Sequence, residues 1–441
     1  TPEVEDFGPF VINNTGTLEN LTNRGSITVT TEDATLRHFI GGIASASSGP
    51  LTGCVNEGAI TLTSAKGVTA SLIGGIVGNL GATATDCVNK GELKIEALYS
   101  NTRVAASPYT QKVCSSVSGI AAIAMQTGFK IVDCSNEAPV SYIENQVDAG
   151  THTDGATRHG ACGICSYPYG EINGCNNSGK ISNIIKSSTG AAYSARENIV
   201  GGAGIAGSDF VWHKAEDKAA ATNIIDCINN GEIYYYTDVD KSNSTCGGIV
   251  SWPNPETAGN TNYTSGCVNN GNITVEGNGK VRVGGISGGA GHIRDCINNG
   301  KITAKVGSAN YVFGGITGFM SQNYGITGCS SLGDIDASAS TSTSVGIGGL
   351  VGALGNVASA IYDNKVNLDL STPAAETELG LVVGHFNGTS KAITVGTSEK
   401  PITVAGKVNG VTITADNYTG YLCGPQNYTD GTHTVNAVYG E

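Results

Sequence analysis

Three sets of residues in this 441-residue chain have types and spacings that can do chemistry. Asp86, Asp133, Asp226 and Asp295 each precede a cysteine in a recurring phrase. Paired carboxylates are what lyases and glycosidases acting on polysaccharides require. His159, Cys162 and Cys165 in HGACGIC have metal-ligand spacing, but a single CxxC without a second pair assigns no metal. Trp212 and His213 in DFVWHKAED, Trp252 in SWPNPET, and Tyr234 and Tyr236 in EIYYYTD form an aromatic set among Asn, Asp and Thr. Aromatic faces rimmed by such groups suit stacking and hydrogen bonding to sugars, so these five are the ligand-binding residues expected. Each set also has a structural reading. The aspartates sit at a regular turn position, Cys162 falls inside a second recurring phrase, and the aromatics can cover enlarged coils. No catalytic residue, metal site or cofactor is assigned, and no HExxH zinc-protease sequence is present.

The elements that position these residues repeat. Cys-x-Asn-x-Gly-x-Ile begins at Cys54, Cys87, Cys175, Cys227, Cys267 and Cys296, with weaker copies at Cys134 and Cys329. Two further copies without cysteine begin at Leu21 and Tyr362. The steps are 33, 33, 47, 41, 52, 40, 29, 33 and 33 residues, so a period near 33 is swollen in the middle by insertions. A second phrase, apolar-Gly-Gly-Ile-x-Gly, alternates with the first from Ile73, Val283, Phe313 and Ile347, with looser copies from Ile40, Cys246 and Leu379. Helical repeats of this period need apolar residues three and four apart, whereas ITVT from Ile27, ITLT from Ile60 and ITVE from Ile273 alternate with period two.

These observations predict an all-β fold, a parallel β-helix (β-solenoid), right-handed by the general crossover preference. About three strands per coil and ten to eleven coils at ~4.8 Å each give a rod of roughly 50 Å. Residues 1–20 are expected to cap the N-terminus, 21–385 to form the solenoid, and 386–441 to form a last degenerate coil and C-terminal cap or a small β domain. Stacking makes columns of equivalent residues. Cys54, Cys87, Cys134, Cys175, Cys227, Cys267, Cys296 and Cys329 form an apolar buried column in which Leu21 and Tyr362 stand at the ends, with disulfides between neighbouring coils as the alternative. Asn56, Asn89, Asn177, Asn229, Asn269 and Asn298 form a hydrogen-bonded ladder at the corner, and the phrase glycine is expected in a left-handed conformation. Thr28, Thr61, Thr274 and Thr303 share an outward column, interrupted by Lys94, Tyr234, Asp336 and Asp369, which argues against an ice-binding face. Function on such a rod belongs to insertions between 97–116, 142–160, 183–199, 207–225 and 251–265.

Gly is abundant at 64 residues and only 14% of residues are charged, which favours strands and tight turns. A net charge of −13 argues against a nucleic-acid partner and against anionic membranes, and no apolar run is long enough for membrane insertion. The first residue is Thr1, which points to removal of a leader.

GGITGFMSQNYGITGCSSLGDI from Gly314 and GGISGGAGHIRDCINNGKI from Gly284 resemble the GLUG motif of bacterial surface proteins, including IgA-peptidase-like and secreted Bacteroidetes proteins. The resemblance covers roughly residues 20–385. It implies an extracellular or cell-surface bacterial β-solenoid, adhesin-like or a stalk; with the aromatic insertions, the expected partners are glycans or host or cell-surface proteins. It carries over no catalytic residues. The alternative from the residues themselves is a polysaccharide-degrading β-helix enzyme.

Overall fold

A computed structural model describes residues 4–31, 37–64, 70–99, 115–146, 157–187, 198–208, 222–238, 244–253, 263–289, 291–307, 311–320, 324–355, 360–376, 378–387, 393–424 and 433–440. Most of each long insertion lies outside these residues. The chain is a parallel β-solenoid with three sides. One side is an eleven-stranded parallel sheet, one strand per coil, from Val4–Phe7 to Leu379–Gly380. The second coil illustrates the path. Arg37–Gly41 belongs to the eleven-stranded sheet, Ala44–Ser47 and Leu51–Thr52 to a second sheet, and Val55–Asn56 and Ile60–Ser64 to the longest sheet. The pairing is in register: Ile60 lies between Ile27 and Leu93, and Leu62 between Val29 and Ile95. No helix among the described residues is long and apolar enough to cross a membrane.

Period-two alternation puts Ile60, Leu93, Val140, Ile181, Ile233, Ile273, Ile302 and Ile335 into one buried column of a continuous core. The asparagines form a second column. Asn23, Asn56, Asn89, Asn136, Asn177, Asn229, Asn269 and Asn298 are all buried. Each Nδ2 from Asn23 to Asn269 donates to Oδ1 of the next asparagine at 2.7–2.9 Å. The other Nδ2 hydrogen donates to the carbonyl two residues on, as from Asn229 to Gly231 at 3.0 Å. Asparagine supplies a donor pair and an acceptor on a side chain short enough to stay in the column. The ladder stops at Ser331, whose buried Oγ has no partner.

The two recurring phrases turn out to be one device. The second glycine of each Gly-Gly pair faces the ladder across the interior. A Cβ added at Gly42 would stand 2.6 Å from Asn56 Cγ, and one at Gly75 2.6 Å from Asn89 Cγ. At Gly315 and Gly349 the same position meets Ser331 and Val366, the residues that replace asparagine there. The glycine is thus required by close approach of backbone to the stacked amides.

Three expectations are corrected. The glycine of the first phrase is not left-handed: Gly58, Gly91, Gly179, Gly231, Gly271 and Gly300 have no positive φ, and each instead abuts a residue of the preceding coil's phrase. The left-handed position is the residue before the cysteine, where Asp86, Asp133, Asp226 and Asp295 have φ of 51–54° and Gly53, Gly174, Gly266 and Gly328 take 60–67°. Asp, Asn and Gly are the residues that tolerate this region. The copy read from Tyr362 is displaced by two residues. Ser330 pairs with Lys365 and Ser331 with Val366, so Asn364 stands in the cysteine column and Tyr362 opposite Thr327. By the same shift Asp336 pairs with Ser371, not Asp369. The reason is Asp363, φ 58°, which takes the left-handed corner and sets the register.

The cysteine column itself is buried and its thiols are unpaired. The Cys87 amide donates to Cys134 Sγ at 3.4 Å, so sulfurs of successive coils touch neighbouring turns. Burial pushes the Cys134 and Cys227 thiols well above the ordinary range, while hydrogen bonds from those neighbouring thiols hold Cys175 and Cys267 below it, so the column is a chain of interacting thiols. Residues 4–20, expected as a cap, supply the first half of the first coil, with Val4–Phe7 paired to Arg37–Ile40. The tail also continues the stack: Ile402–Val408 pairs in parallel with Lys365–Leu370 and with Ala437–Tyr439. It folds back once, through an antiparallel pairing of Lys407–Val408 with Val411–Thr412, before a 3-10 turn at Tyr418–Tyr421.

Candidate functional site

The strand Ile233–Thr237 buries Ile233, Tyr235 and Thr237 and leaves Tyr234 and Tyr236 half-buried on the outer face of the longest sheet. Ser182, Tyr234, Thr274 and Thr303 are register neighbours there. Tyr234 Oη donates to Glu276 Oε2 at 2.9 Å. Burial, then the Glu276 carboxylate, push its pKa up to about 12, so the phenol stays a neutral donor. Beside it lies a depression of about 140 Å³ lined by Lys180, Glu232, Tyr234, Asn272, Thr274, Lys301 and Thr303.

Lys180, Glu232, Asn272 and Lys301 come from the variable position before the strand isoleucine, in SGKI, NGEI, NGNI and NGKI. Stacking brings Lys180 Nζ to 3.4 Å from Glu232 Oε2, and Lys301 Nζ to 3.0 Å from Asp336 Oδ2. Such exposed pairs contribute little stability. They do hold alternating cations and anions along one edge of the depression. The Asn272 side chain accepts from the Lys301 amide at 3.0 Å. Next to it runs an exposed amide row: Asn299 Nδ2 donates to Asn270 Oδ1 and Asn270 Nδ2 to Asn230 Oδ1, both at 2.8 Å. The surface therefore offers one half-exposed ring, hydroxyls, amides and both signs of charge within a few side chains.

The expected aromatic set is not brought together. Trp212 and His213 lie outside the described residues. Trp252 belongs to a different side, at the end of the strand Val250–Trp252 in the second sheet. It packs against the next coil: a Cβ on Gly289 would run into the indole ring. Tyr234 and Trp252 therefore cannot grip one sugar ring between them. Lys180, Glu232, Asn272 and Lys301 were not singled out in the sequence, because the repeat draws the eye to its constant letters and these sit at a variable one.

The other chemical candidates resolve differently. Asp86 and Asp133 are on neighbouring coils, while Gly174 separates Asp133 from Asp226 and Gly266 separates Asp226 from Asp295. Each of Asp133, Asp226 and Asp295 turns Oδ1 onto the glycine of the next coil. This is corner packing in a column, without convergence. Cys162 and Cys165 are fully buried, and burial pushes the Cys162 thiol up to about 12. The His159 side chain is outside the described set. Among the described residues no group of three or more His, Cys, Asp or Glu is arranged to hold a metal ion.

No protein-family model matches the chain, and no curated protein matches it. Among solved structures, a candidate immunoglobulin A1 protease from Bacteroides ovatus aligns with 72% of this chain and 79% of its own, at 16% identity and a TM-score of 0.34, a likeness too slight to bear on function.

Proposed function

We propose that the protein is a non-catalytic, adhesin-like solenoid of the bacterial surface or exterior, related to the GLUG-motif proteins, that recognises glycans on the outer face of its longest sheet. The observation that carries this is the depression beside Tyr234, where a half-exposed ring adjoins Lys180, Glu232, Asn272 and Lys301. Sugars bind protein surfaces through ring stacking and hydrogen bonds to hydroxyls, and this lining offers both. The rest of the rod supplies rigidity: strands carry the side chains at fixed ~4.8 Å intervals, so neighbouring sugar units meet a repeating row of partners.

Soluble host and dietary oligosaccharides, titrated calorimetrically, test the reading. At least one is expected to bind, and Tyr234→Ala is expected to weaken it about tenfold, since ring stacking contributes about 1.4 kcal/mol. The variant should keep the wild-type melting temperature, because Tyr234 faces out. Binding unchanged in Tyr234→Ala sinks this site. The polysaccharide lyase or glycosidase alternative is distinguished by turnover in reducing-sugar and lyase-absorbance assays, which a recognition surface does not produce.

A further inference from the structure

A second surface carries a sharper chemical signature. Arg282 extends from the strand Val281–Gly284, between Thr245 and Val312 of the neighbouring coils. At the equivalent position in other coils stand Phe39, Leu72, Ser116, Thr245 and Val312, all buried where the strand after the Gly-Gly corner folds against this one. That following strand carries small residues there, Ser251, Gly288 and Gly318, and a Cβ on Gly318 would stand 2.7 Å from the Val283 backbone. Arg282, unlike its neighbours in the column, is only partly buried and reaches two aromatic rings. Its Cζ lies 4.2 Å from the Phe319 ring centroid and 5.4 Å from that of Trp252.

The two rings lie within cation–π distance of the guanidinium and offer it no hydrogen-bond acceptor of the ordinary kind. A guanidinium has five N–H donors and no acceptor. Arg282 has no hydrogen bond and no carboxylate partner among the described residues. Burial alone pulls its pKa down to about 10, the mark of a cation taken from water without an anion in return. Beside it, the buried Trp252 Nε1–H also has no acceptor among the described residues. One patch thus gathers two kinds of unmet donor around a partly exposed indole, on a chain of net charge −13.

We propose that Arg282, Trp252 and Phe319 form a subsite for a carboxylate-bearing sugar residue: the carboxylate accepts from the Arg282 fork and the sugar ring lies against Trp252. The arginine fork can hold the two oxygens of a carboxylate with two parallel N–H bonds, as it can two oxygens of a phosphate. The indole supplies the flat apolar contact that a simple anion would not use. The proposal extends glycan recognition to a side of the rod separate from Tyr234, so the two sites can fail independently.

The test is titration of tri-galacturonate and of a hyaluronan tetrasaccharide at low salt, followed by the fluorescence of Trp252 in a Trp212→Phe background. At least one uronate is expected to bind, and methyl esterification of its carboxylates should weaken binding tenfold or more. Arg282→Gln should cause a similar loss while the glycan bound at Tyr234 is held as before. Arg282→Lys, which keeps the charge and loses the fork, should bind at least threefold more weakly and serves if the glutamine variant does not fold. Binding of neither uronate, equal binding of the ester, or undiminished binding by the Arg282 variants overturns the proposal. Equally tight binding of a triglutamate peptide overturns the assignment to a sugar. If Tyr234→Ala abolishes uronate binding and Arg282→Gln does not, the glycan face stands and this subsite falls.

Discussion

Asn229→Ala is expected to destabilise the protein by about 4 kcal/mol, because three buried hydrogen bonds disappear and their partners remain. Asn229 Nδ2 donates to Gly231 O at 3.0 Å and to Asn269 Oδ1 at 2.8 Å, and its Oδ1 accepts from Asn177 Nδ2 at 2.8 Å. Each orphaned group in this dry column loses roughly 1–3 kcal/mol. Alanine leaves a gap where no described side chain offers a replacement. The loss falls at one interface of a structure whose coils contact only their neighbours. Urea unfolding should therefore lose cooperativity, with a smaller slope or two transitions as the halves separate. Asn23→Ala is the comparison: Asn23 donates to Asn56 and to Gly25 O and accepts from the Gly25 amide, so two of its three bonds are with an exposed residue that water can serve. It should lose about half as much. Equal, small losses at both positions would show that the ladder contributes little.

Gly248→Ala should be worse than its single methyl suggests. An added Cβ would run into Gly285 O and Asn269 Cγ and stand 2.6 Å from Asn269 Nδ2. The obstacles are the next coil's backbone and a side chain fixed by three hydrogen bonds, so neither yields by a rotamer change. The corner has to open, which breaks the Gly248 N–H bond to Gly284 O at 3.1 Å and pushes the ladder out of line. A loss of more than about 3 kcal/mol, or failure to fold, is expected from overpacking at such a site. Gly16→Ala is the control, since a Cβ there meets nothing nearer than Asn14 Oδ1 at 3.9 Å. It should melt within a few degrees of wild type in a thermal scan. If Gly248→Ala melts with the control, the Gly-Gly pair is not held by contact with the ladder.

The sequence shows the architecture plainly because stacking leaves little freedom: a buried amide that must pair above and below itself selects asparagine coil after coil. Ser331 and Val366 break the ladder, yet the glycines facing them persist as Gly315 and Gly349. Pattern matching misplaced Tyr362 and Asn364 because the letters Asp-Asn and Asp-Cys serve the same corner, and only the left-handed Asp363 sets the register. The first phrase's glycine was assigned the wrong cause for a related reason: glycine marks both left-handed φ and close approach, and a string of letters does not separate the two. The three tyrosines of EIYYYTD could be sorted by alternation, with Tyr235 inward and fully buried. The lining around Tyr234 could not. Successive members of the set Lys180, Glu232, Asn272 and Lys301 lie 29 to 52 residues apart and meet only through stacking. Arg282 was hidden inside VRVGGISG, where it reads as one more residue of an outward position.

Hydrogen exchange at the asparagine side chains, followed by NMR, most directly tests the claim that one buried amide ladder runs the length of the rod. Neighbouring residues provide the internal reference: Asn269 and Asn298 are fully buried, while Asn270 and Asn299 make the same kind of amide contact at 2.8 Å in exposed positions. The account predicts that the Nδ2 hydrogens of Asn56, Asn89, Asn136, Asn177, Asn229 and Asn269 exchange at least about a thousandfold more slowly than those of Asn270 and Asn299, since they open only with the coils themselves. Exchange of both sets at similar rates would contradict it.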